Sequence, residues 1–141
     1  MLDKTARIAV LVSGGGTNLQ AILDAQKSGV IKSGRVSLVI SNNENAYALT
    51  RAANAGVECA VIGRSPDFED KIINCLESHG IDLIVLAGFM CILSGNFTAR
   101  YPERIINVHP SLIPSFCGRG FYGLHVHEAA LARGVKVTGA T

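Results

Sequence analysis

The sequence predicts an α/β fold in which a mostly parallel sheet is covered by helices on both faces. Three observations lead to this prediction. Short runs of β-branched and other apolar residues recur without strict alternation, as in strands buried on both sides. Segments with the helical spacing of apolar residues lie between these runs, so strand and helix alternate along the chain. The 141 residues are 48% hydrophobic and 17% charged, which suits one domain over residues 1–141 with its own core.

Five apolar runs are predicted to form the strands. They are residues 7–12, 36–40, 59–62, 83–87 and 105–108. Right-handed crossovers between such strands make the sheet mostly parallel, and ligands then bind beyond the carboxyl ends of the strands.

Helices are predicted between the strands from the spacing of apolar residues. Leu19, Ile22 and Leu23 mark the first helix, and Gly56 and Gly80 are placed where the second and third helices would end. The third helix is marked by Phe68, Ile72, Ile73 and Leu76.

The first strand is followed by V-S-G-G-G-T-N-L-Q, in which three glycines precede the first helix. Backbone amides without side chains can approach a ligand closely, and amides at a helix N-terminus bind phosphate. Thr17 and Asn18 are predicted to cap the helix. A tight turn that needs glycine for its geometry alone is the alternative. We favour a phosphate site.

A dinucleotide is a poorer match to this loop than a nucleotide monophosphate. From Gly14 the pattern G-x-G-x-x continues with Leu19 instead of a third glycine. The second strand ends in Ser-Asn-Asn rather than in the acid that binds the ribose of NAD.

A second polar stretch, N-V-H-P-S-L-I-P-S-F, begins where the fifth strand is predicted to end, so we expect it on the same ligand face as the glycines. Pro110 and Pro114 restrict the backbone and would hold Asn107 and His109 in a fixed relation. Such preorganisation suits catalysis. A hydrogen-bonded structural histidine is the alternative for His109 taken alone.

Charge and composition exclude several classes of partner. The net charge is +2 with scattered basic residues, which argues against nucleic-acid and membrane-surface binding but allows a small anionic ligand. No segment resembles a signal peptide or a transmembrane helix, so we expect a cytoplasmic protein. The four cysteines are widely spaced and are expected to be free thiols. We expect no metal site, because His125 and His127 at i,i+2 would point to different faces of a helix.

Along nearly its whole length the sequence resembles the glycinamide ribonucleotide formyltransferases, a family of folate-dependent enzymes of purine synthesis. The resemblance lies in V-S-G-G-G-T-N-L-Q, S-N-N-E-N-A, L-A-G-F-M, N-V-H-P-S-L-I-P and G-L-H-V-H-E-A-A-L. It implies a Rossmann-like, three-layer fold. It also implies transfer of the formyl group of 10-formyltetrahydrofolate, a co-substrate, to the amine of glycinamide ribonucleotide, with no metal. The partners implied are these small molecules, and the protein would be a monomer or a homodimer.

The resemblance also implies roles for individual residues. Gly16, Thr17 and Asn18 would hold the ribonucleotide phosphate, and Asn107 and His109 would be catalytic. An amide and a protonated imidazole near the formyl oxygen would stabilise the charge that develops there, and histidine can move the proton. The residues implied for folate binding are Arg64, Met90, Cys91, Ile92 and Leu93.

The chain departs from the family pattern in two ways. Cys91 stands where the family often has arginine, and the loop between the third strand and the third helix is shorter than in the family, so Arg64 is only an approximate match to the arginine that contacts folate. The family also has a catalytic aspartate in a loop after a strand that would begin near Val135, and the sequence stops at Thr141 before that loop. Asp82 lies at the wrong end of its strand to replace it. We therefore interpret the chain as a C-terminally truncated fragment, and we expect weak catalysis from it.

Three alternatives remain from the sequence. Formyltetrahydrofolate deformylase shares the folate pocket and the asparagine–histidine pair but passes the formyl group to water. Methionyl-tRNA formyltransferase shares the N-x-H-P-S-L turn, although this sequence has no basic tRNA-binding module. A non-catalytic nucleotide-binding module is the alternative from a different class.

Overall fold

The computed structural model describes residues 4–141. The chain divides into two compact units, the first ending at Ile106 and the second formed by Asn107–Thr141. A single domain over residues 1–141 stays a prediction. The strands are β1 Ala6–Val12, β2 Gly34–Ser41, β3 Glu58–Val61, β4 Leu83–Leu86 and β5 Ile105–Asn107. The helices are α1 Thr17–Lys27, α2 Tyr47–Asn54, α3 Phe68–Ser78, α4 Gly95–Arg100 and α5 Leu124–Arg133.

The five strands form one all-parallel sheet in the order β3-β2-β1-β4-β5, so the predicted α/β class is confirmed. Val10 of β1 pairs with Val39 of β2 on one side and with Val85 of β4 on the other. Strand β1 is therefore a central strand of the sheet. Its sequence is apolar at nearly every position because helices cover both faces of the sheet there.

The core of the first unit lies on both faces of the sheet. Val10 packs in a cluster with Leu19 and Leu23 of α1, whereas the next residue, Leu11, packs in a second cluster with Ile72 of α3. Successive side chains of a strand point to opposite faces, so β1 contributes to both clusters.

The strand order places a crevice between β1 and β4. The chain moves from β1 to β2 on one side, whereas β4, which comes later in sequence, adds to the other side of β1. In sheets of this kind ligands bind at the carboxyl ends of the two strands where the order reverses. The loops that follow β1 and β4 thus form the expected binding edge.

The ends of α2 and α3 confirm the predicted glycine terminators. Gly56 and Gly80 have φ of 69° and 57°. Beyond Gly56, the Val57 N–H donates back to the Ala52 carbonyl at 2.9 Å, which closes the end of α2. The residues that follow can then turn back toward the sheet.

Two later segments differ from the sequence prediction. Helix α4 was not predicted, because Phe97 is its one buried residue and leaves no apolar period to detect. The strand predicted to begin near Val135 is wrong, since residues 135–141 are irregular. Val137 is exposed there, so no neighbouring strand covers it.

Candidate active site

The loop after β1, residues 13–16, turns its carbonyl groups toward the protein. Each of the four carbonyl oxygens accepts one hydrogen bond from within the first unit. Two donors are side chains: Asn43 Nδ2 donates to the Ser13 carbonyl at 3.4 Å, and Arg51 Nε donates to the Gly15 carbonyl at 2.8 Å. Two donors are backbone groups: the Ala48 N–H donates to the Gly14 carbonyl at 3.0 Å, and the Gln20 N–H donates to the Gly16 carbonyl at 2.9 Å. The last of these is the first backbone bond of α1, so the amides of residues 17–19 precede the helical ladder. We call residues 13–18 the glycine loop. Gly14, Gly15, Thr17 and Asn18 of this loop are exposed, so an anion can reach the backbone there.

Gly16 is required by the geometry of this loop. Its φ is 73°, and a Cβ there would lie 2.6 Å from the Ala48 Cβ and 2.8 Å from the Ala48 Cα. Gly14 and Gly15 differ, because a Cβ at either would meet nothing within 4 Å. The open space beside these two glycines leaves the backbone accessible from outside.

The prediction that Thr17 and Asn18 cap α1 is wrong. Gly16 is the N-cap residue, no side chain closes the helix end, and Thr17 and Asn18 are the first two residues of the helix itself. Gly16 takes the cap position because the close approach of α2 at Ala48 leaves no room for a side chain. Thr17 and Asn18 are exposed at the positive end of the helix dipole.

Arg51 of α2 lies against the glycine loop and was not predicted as a site residue. Besides its bond to the Gly15 carbonyl, its Nη1 donates to Gln20 Oε1 at 3.2 Å, and its guanidinium carbon lies 4.9 Å from the centre of the Tyr47 ring. The i,i+4 spacing of Tyr47 and Arg51 could have indicated the cation–π pair. Nothing in the sequence connects Arg51 to Gly15.

The loop after β4 is tied to the glycine loop across the crevice. The Met90 N–H donates to Ser13 Oγ at 2.8 Å. Residues 88–93 therefore start from a position fixed by the end of β1. The sequence did not indicate this bond.

A cavity of about 400 Å³ lies beside this second loop and contains four of the five residues predicted to bind folate. It is lined by Arg64, Ser65, Phe68, Met90, Cys91 and Ile92. Leu93 does not line it and instead packs against the core cluster of α3. Ile92 is 98% exposed at the edge of the cavity.

Arg64 and Cys91 are in contact within this cavity. Arg64 Nη2 donates to the Met90 carbonyl at 2.8 Å, and Arg64 Nε lies 3.3 Å from the Cys91 Sγ. Asn42 Nδ2 approaches the same sulfur at 3.2 Å. The guanidinium is thus held over the cavity by the loop after β4, with further N–H groups available to a ligand.

In the second unit, Asn107 is exposed at the end of β5 and His109 is half-buried. His109 Nε2 lies 3.2 Å from the Phe116 carbonyl oxygen. Because a carbonyl can only accept, this hydrogen bond requires a proton on Nε2. The His109 backbone also exchanges two hydrogen bonds with Thr141, at 2.7 and 2.9 Å. The histidine is therefore oriented by its ring and by its backbone.

Hydroxyl hydrogen bonds stabilise the turn after His109. Ser111 is fully buried, and its hydroxyl donates to the Ser115 carbonyl at 2.6 Å. The Thr141 hydroxyl donates to the Ser111 carbonyl at 2.7 Å. The prolines predicted to stiffen this turn are thus assisted by two hydroxyl groups.

Comparison with known proteins identifies the family of this chain. Residues 6–141 match the formyl transferase family. The chain belongs to that family. Phosphoribosylglycinamide formyltransferase from Haemophilus influenzae is 43% identical over 96% of this chain and 63% of its own length. This formyl transferase chain thus spans about 63% of that curated relative.

Solved structures agree with this placement. Glycinamide ribonucleotide transformylase 1 from Symbiobacterium toebii superposes with a TM-score of 0.84 at 44% identity, covering 97% of this chain and 64% of that one. A formyltetrahydrofolate deformylase from Pseudomonas syringae gives a TM-score of 0.83 at 24% identity, covering 99% of this chain and 45% of that one. The deformylase likeness shows the fold alone, so it does not favour the deformylase alternative.

Asp82 of this formyl transferase chain lies just before β4, at the edge of the sheet opposite the glycine loop. Its carboxylate accepts the Arg7 N–H at 2.8 Å, and this hydrogen bond holds the pKa of Asp82 below its ordinary value.

Within residues 4–141 no group of three His, Cys, Asp or Glu side chains is arranged to hold a metal. Over the same range no helix is long and apolar enough to cross a membrane.

Proposed function

We propose that this chain forms the substrate-binding part of an enzyme that transfers the formyl group of 10-formyltetrahydrofolate to the amine of glycinamide ribonucleotide. The amine nitrogen attacks the formyl carbon, and the bond from that carbon to the folate nitrogen breaks. One proton leaves the amine and one is delivered to the folate nitrogen. The products are the formylated ribonucleotide and tetrahydrofolate, with no change in oxidation state.

The glycine loop is the observation that carries this proposal. The carbonyls of residues 13–16 are occupied by protein donors, and Gly14, Gly15, Thr17 and Asn18 are exposed beside the N-terminus of α1. The loop lies at the crevice between β1 and β4. Gly16, Thr17 and Asn18 would bind the phosphate through these amides and the positive helix end. A substrate with a terminal phosphate fits this loop. If water were the formyl acceptor, the acceptor would have no phosphate for the loop to bind.

The cavity beside the loop after β4 supports folate as the donor. Phe68, Met90 and Ile92 provide an apolar surface for a flat ring system, and Arg64 provides a cation for the carboxylates of a folate tail. Cys91 would lie on the cavity wall. Leu93, which is partly buried and packs against the core cluster of α3, stays a predicted folate-binding residue.

Asn107 and His109 would stabilise the transition state. The Asn107 side chain can donate to the oxygen that gains negative charge, and the His109 imidazole can accept a proton from one nitrogen and donate it to the other. The ring and backbone contacts of His109 support this role, because a catalytic group must be oriented before the reaction begins.

Titration with each substrate, followed by product analysis, tests the proposal. Glycinamide ribonucleotide should bind at least tenfold more tightly than the same molecule without its phosphate, since an anion at a helix N-terminus gains charge-assisted hydrogen bonds. With 10-formyltetrahydrofolate added, the formyl group should appear on the amine. Formate as the product would instead indicate the deformylase alternative, and binding without either product would indicate a binding module.

Cellular location and assembly belong to the same proposal. Cys59, Cys75, Cys91 and Cys117 are free, which supports a reducing compartment and hence a cytoplasmic location. The partners proposed are the two small-molecule substrates. A monomer or homodimer, without nucleic-acid or membrane partners, stays a prediction.

A further inference from the structure

We propose that Arg51 is a positioning residue of the phosphate site, which locks the glycine loop with its amides turned toward the ligand. This inference rests on the proposed phosphate-binding role of the loop.

The peptide between Gly15 and Gly16 is the group that Arg51 controls. In a trans peptide the C=O and N–H point in opposite directions. Arg51 Nε holds the Gly15 carbonyl at 2.8 Å on the protein side, so the Gly16 N–H of the same peptide is turned away from Arg51. The preceding peptide is fixed in the same sense, because the Ala48 N–H holds the Gly14 carbonyl at 3.0 Å.

This peptide needs a restraint because it has glycine on both sides. Rotation of a peptide plane changes ψ of the residue before it and φ of the residue after it, and glycine permits both signs of φ. A flipped peptide would present the Gly15 carbonyl oxygen to a phosphate and repel it. A single strong hydrogen bond to that carbonyl therefore decides whether the loop attracts or repels an anion.

Arg51 is itself held in place by two further contacts. Its Nη1 donates to Gln20 Oε1 on α1, so the guanidinium fork spans the loop and the helix that the loop begins. The Tyr47 ring lies under the guanidinium at 4.9 Å. A planar group held at two edges and one face has little rotational freedom.

The charge of Arg51 acts in the same direction as its geometry. Among residues 4–141 no carboxylate forms an ion pair with it. The positive charge of Arg51 therefore adds to the potential of the α1 N-terminus.

Three variants separate position from charge. Arg51→Met removes the fork and the charge, and Arg51→Lys keeps the charge without the planar fork. Arg35→Met is the matched control, because Arg35 is an exposed arginine near the amino end of β2, at the edge of the sheet opposite the glycine loop. The probes are glycinamide ribonucleotide and its dephosphorylated form, titrated by calorimetry at low and at physiological salt.

We expect Arg51→Met to weaken ribonucleotide binding about tenfold and to leave binding of the dephosphorylated form within a factor of two. Arg51→Lys should recover only part of that loss, and the loss that remains should persist at physiological salt, where the charge effect is screened. Arg35→Met should match the wild type. Arg51→Lys also serves as the test if Arg51→Met does not fold.

The possible results divide cleanly. A wild type that prefers the ribonucleotide, with Arg51→Met equal to Arg35→Met, would overturn the inference and leave the proposed function intact. Equal loss for both probes would also overturn it, since that pattern indicates general structural damage. Full recovery in Arg51→Lys would overturn the positioning role in favour of charge alone. A wild type that binds both probes equally would instead overturn the phosphate assignment of the proposed function.

Discussion

The two compact units of the chain are stabilised in different ways. The first unit builds its site on a sheet covered by two apolar clusters, and backbone or side-chain donors occupy the carbonyls of residues 13–16 in the glycine loop. In the second unit the turn after His109 depends on a few polar contacts made by Ser111 and Thr141. Many of its large apolar side chains are exposed: Val108, Leu112, Ile113, Leu124, Leu131, Val135 and Val137.

The proposed roles divide along the same boundary. Phosphate and folate binding belong to the first unit, and the groups proposed for the chemical step belong to the second. If this division is right, variants in the first unit should change substrate affinity, and variants in the second should change turnover. The predictions below test that separation, beginning with the largest effect.

Replacement of His109 should give the largest effect. In a longer protein that includes the remaining third of the relatives' length, His109→Ala should lower kcat about a hundredfold or more, as expected when a transition-state group is removed. KM for both substrates should change by less than about threefold, because the residues proposed to bind them lie in the first unit. Steady-state kinetics with each substrate varied in turn gives both constants.

His127→Ala is the matched control for this measurement. His127 is an exposed histidine of α5 in the same unit, and no role is proposed for it. A His109→Ala enzyme with kcat near that of His127→Ala would show that His109 has only a structural role. A rise in KM without a fall in kcat would break the proposed division between the two units.

Gly15→Val should weaken ribonucleotide binding by about tenfold, because its side chain would shield amides that bind phosphate. The structure makes this position a better test than Gly16, where a side chain would collide with Ala48 and disturb the packing of α1 against α2. Calorimetric titration measures the change, and folate affinity should stay the same.

Gly95→Val controls for the effect of adding a branched side chain at an open glycine. Gly95 is exposed, and a Cβ there also meets nothing within 4 Å. Both variants should unfold at a temperature close to that of the wild type. Unchanged ribonucleotide affinity in Gly15→Val would contradict the phosphate role of the loop.

Ser13→Ala should weaken folate binding about threefold, because the Met90 N–H loses its acceptor and the loop after β4 loses its tie to β1. Ser13→Thr keeps a hydroxyl and should restore most of the affinity. Fluorescence titration with a folate analogue measures both variants. Equal affinities in the wild type and Ser13→Ala would show that the loop is held without this bond.

How far the sequence predicted this site depends on whether the backbone or the side chains define it. The three glycines after an apolar run predicted a loop of accessible backbone, because a need for bare backbone is visible in the residue types themselves. Phosphate binding by this loop stays a proposal. The strands were predicted to within about two residues. In β1 and β2 burial on both faces leaves a continuous apolar run, whereas the shorter β3 and β5 are mostly exposed and were found from their β-branched and other apolar residues.

Contacts between distant side chains were not predictable in this way. Arg51 meets Gly15 across 36 residues and Ser13 meets Met90 across 77, and neither pair leaves a local pattern. The cap of α1 was wrong because Thr and Asn favour that position locally, whereas the approach of Ala48 to Gly16 decides it in the folded chain. The strand predicted near Val135 is absent for a similar reason, because an apolar run forms a strand only when a neighbouring strand pairs with it.

The smallest predicted effect is a pH dependence of stability that belongs to the first unit alone. His79, at the end of α3, lies 3.1 Å from the carboxylate of Glu58 on β3, and this partner raises the pKa of His79 above its ordinary value of 6.5. The Cys75 carbonyl also raises this pKa, whereas the nearby Arg7 lowers it.

A raised pKa in the folded state means that the folded protein binds the proton more tightly than the unfolded chain does. The contribution of the Glu58–His79 pair is therefore fully present below about pH 6.5 and is lost as pH rises through the higher pKa of the folded state. Because the Glu58 side chain is largely exposed, the contribution should stay below about 1 kcal/mol.

Urea unfolding of the wild type and of Glu58→Gln, between pH 5.5 and 9, should give free energies of unfolding that differ at the acid end and converge at the alkaline end. Hydrogen exchange should confine the difference to β3 and α3 and leave α5 unchanged. A gap that is constant with pH would mean that Glu58 stabilises the fold through something other than the His79 proton, and a change in α5 would mean that the two units do not respond separately.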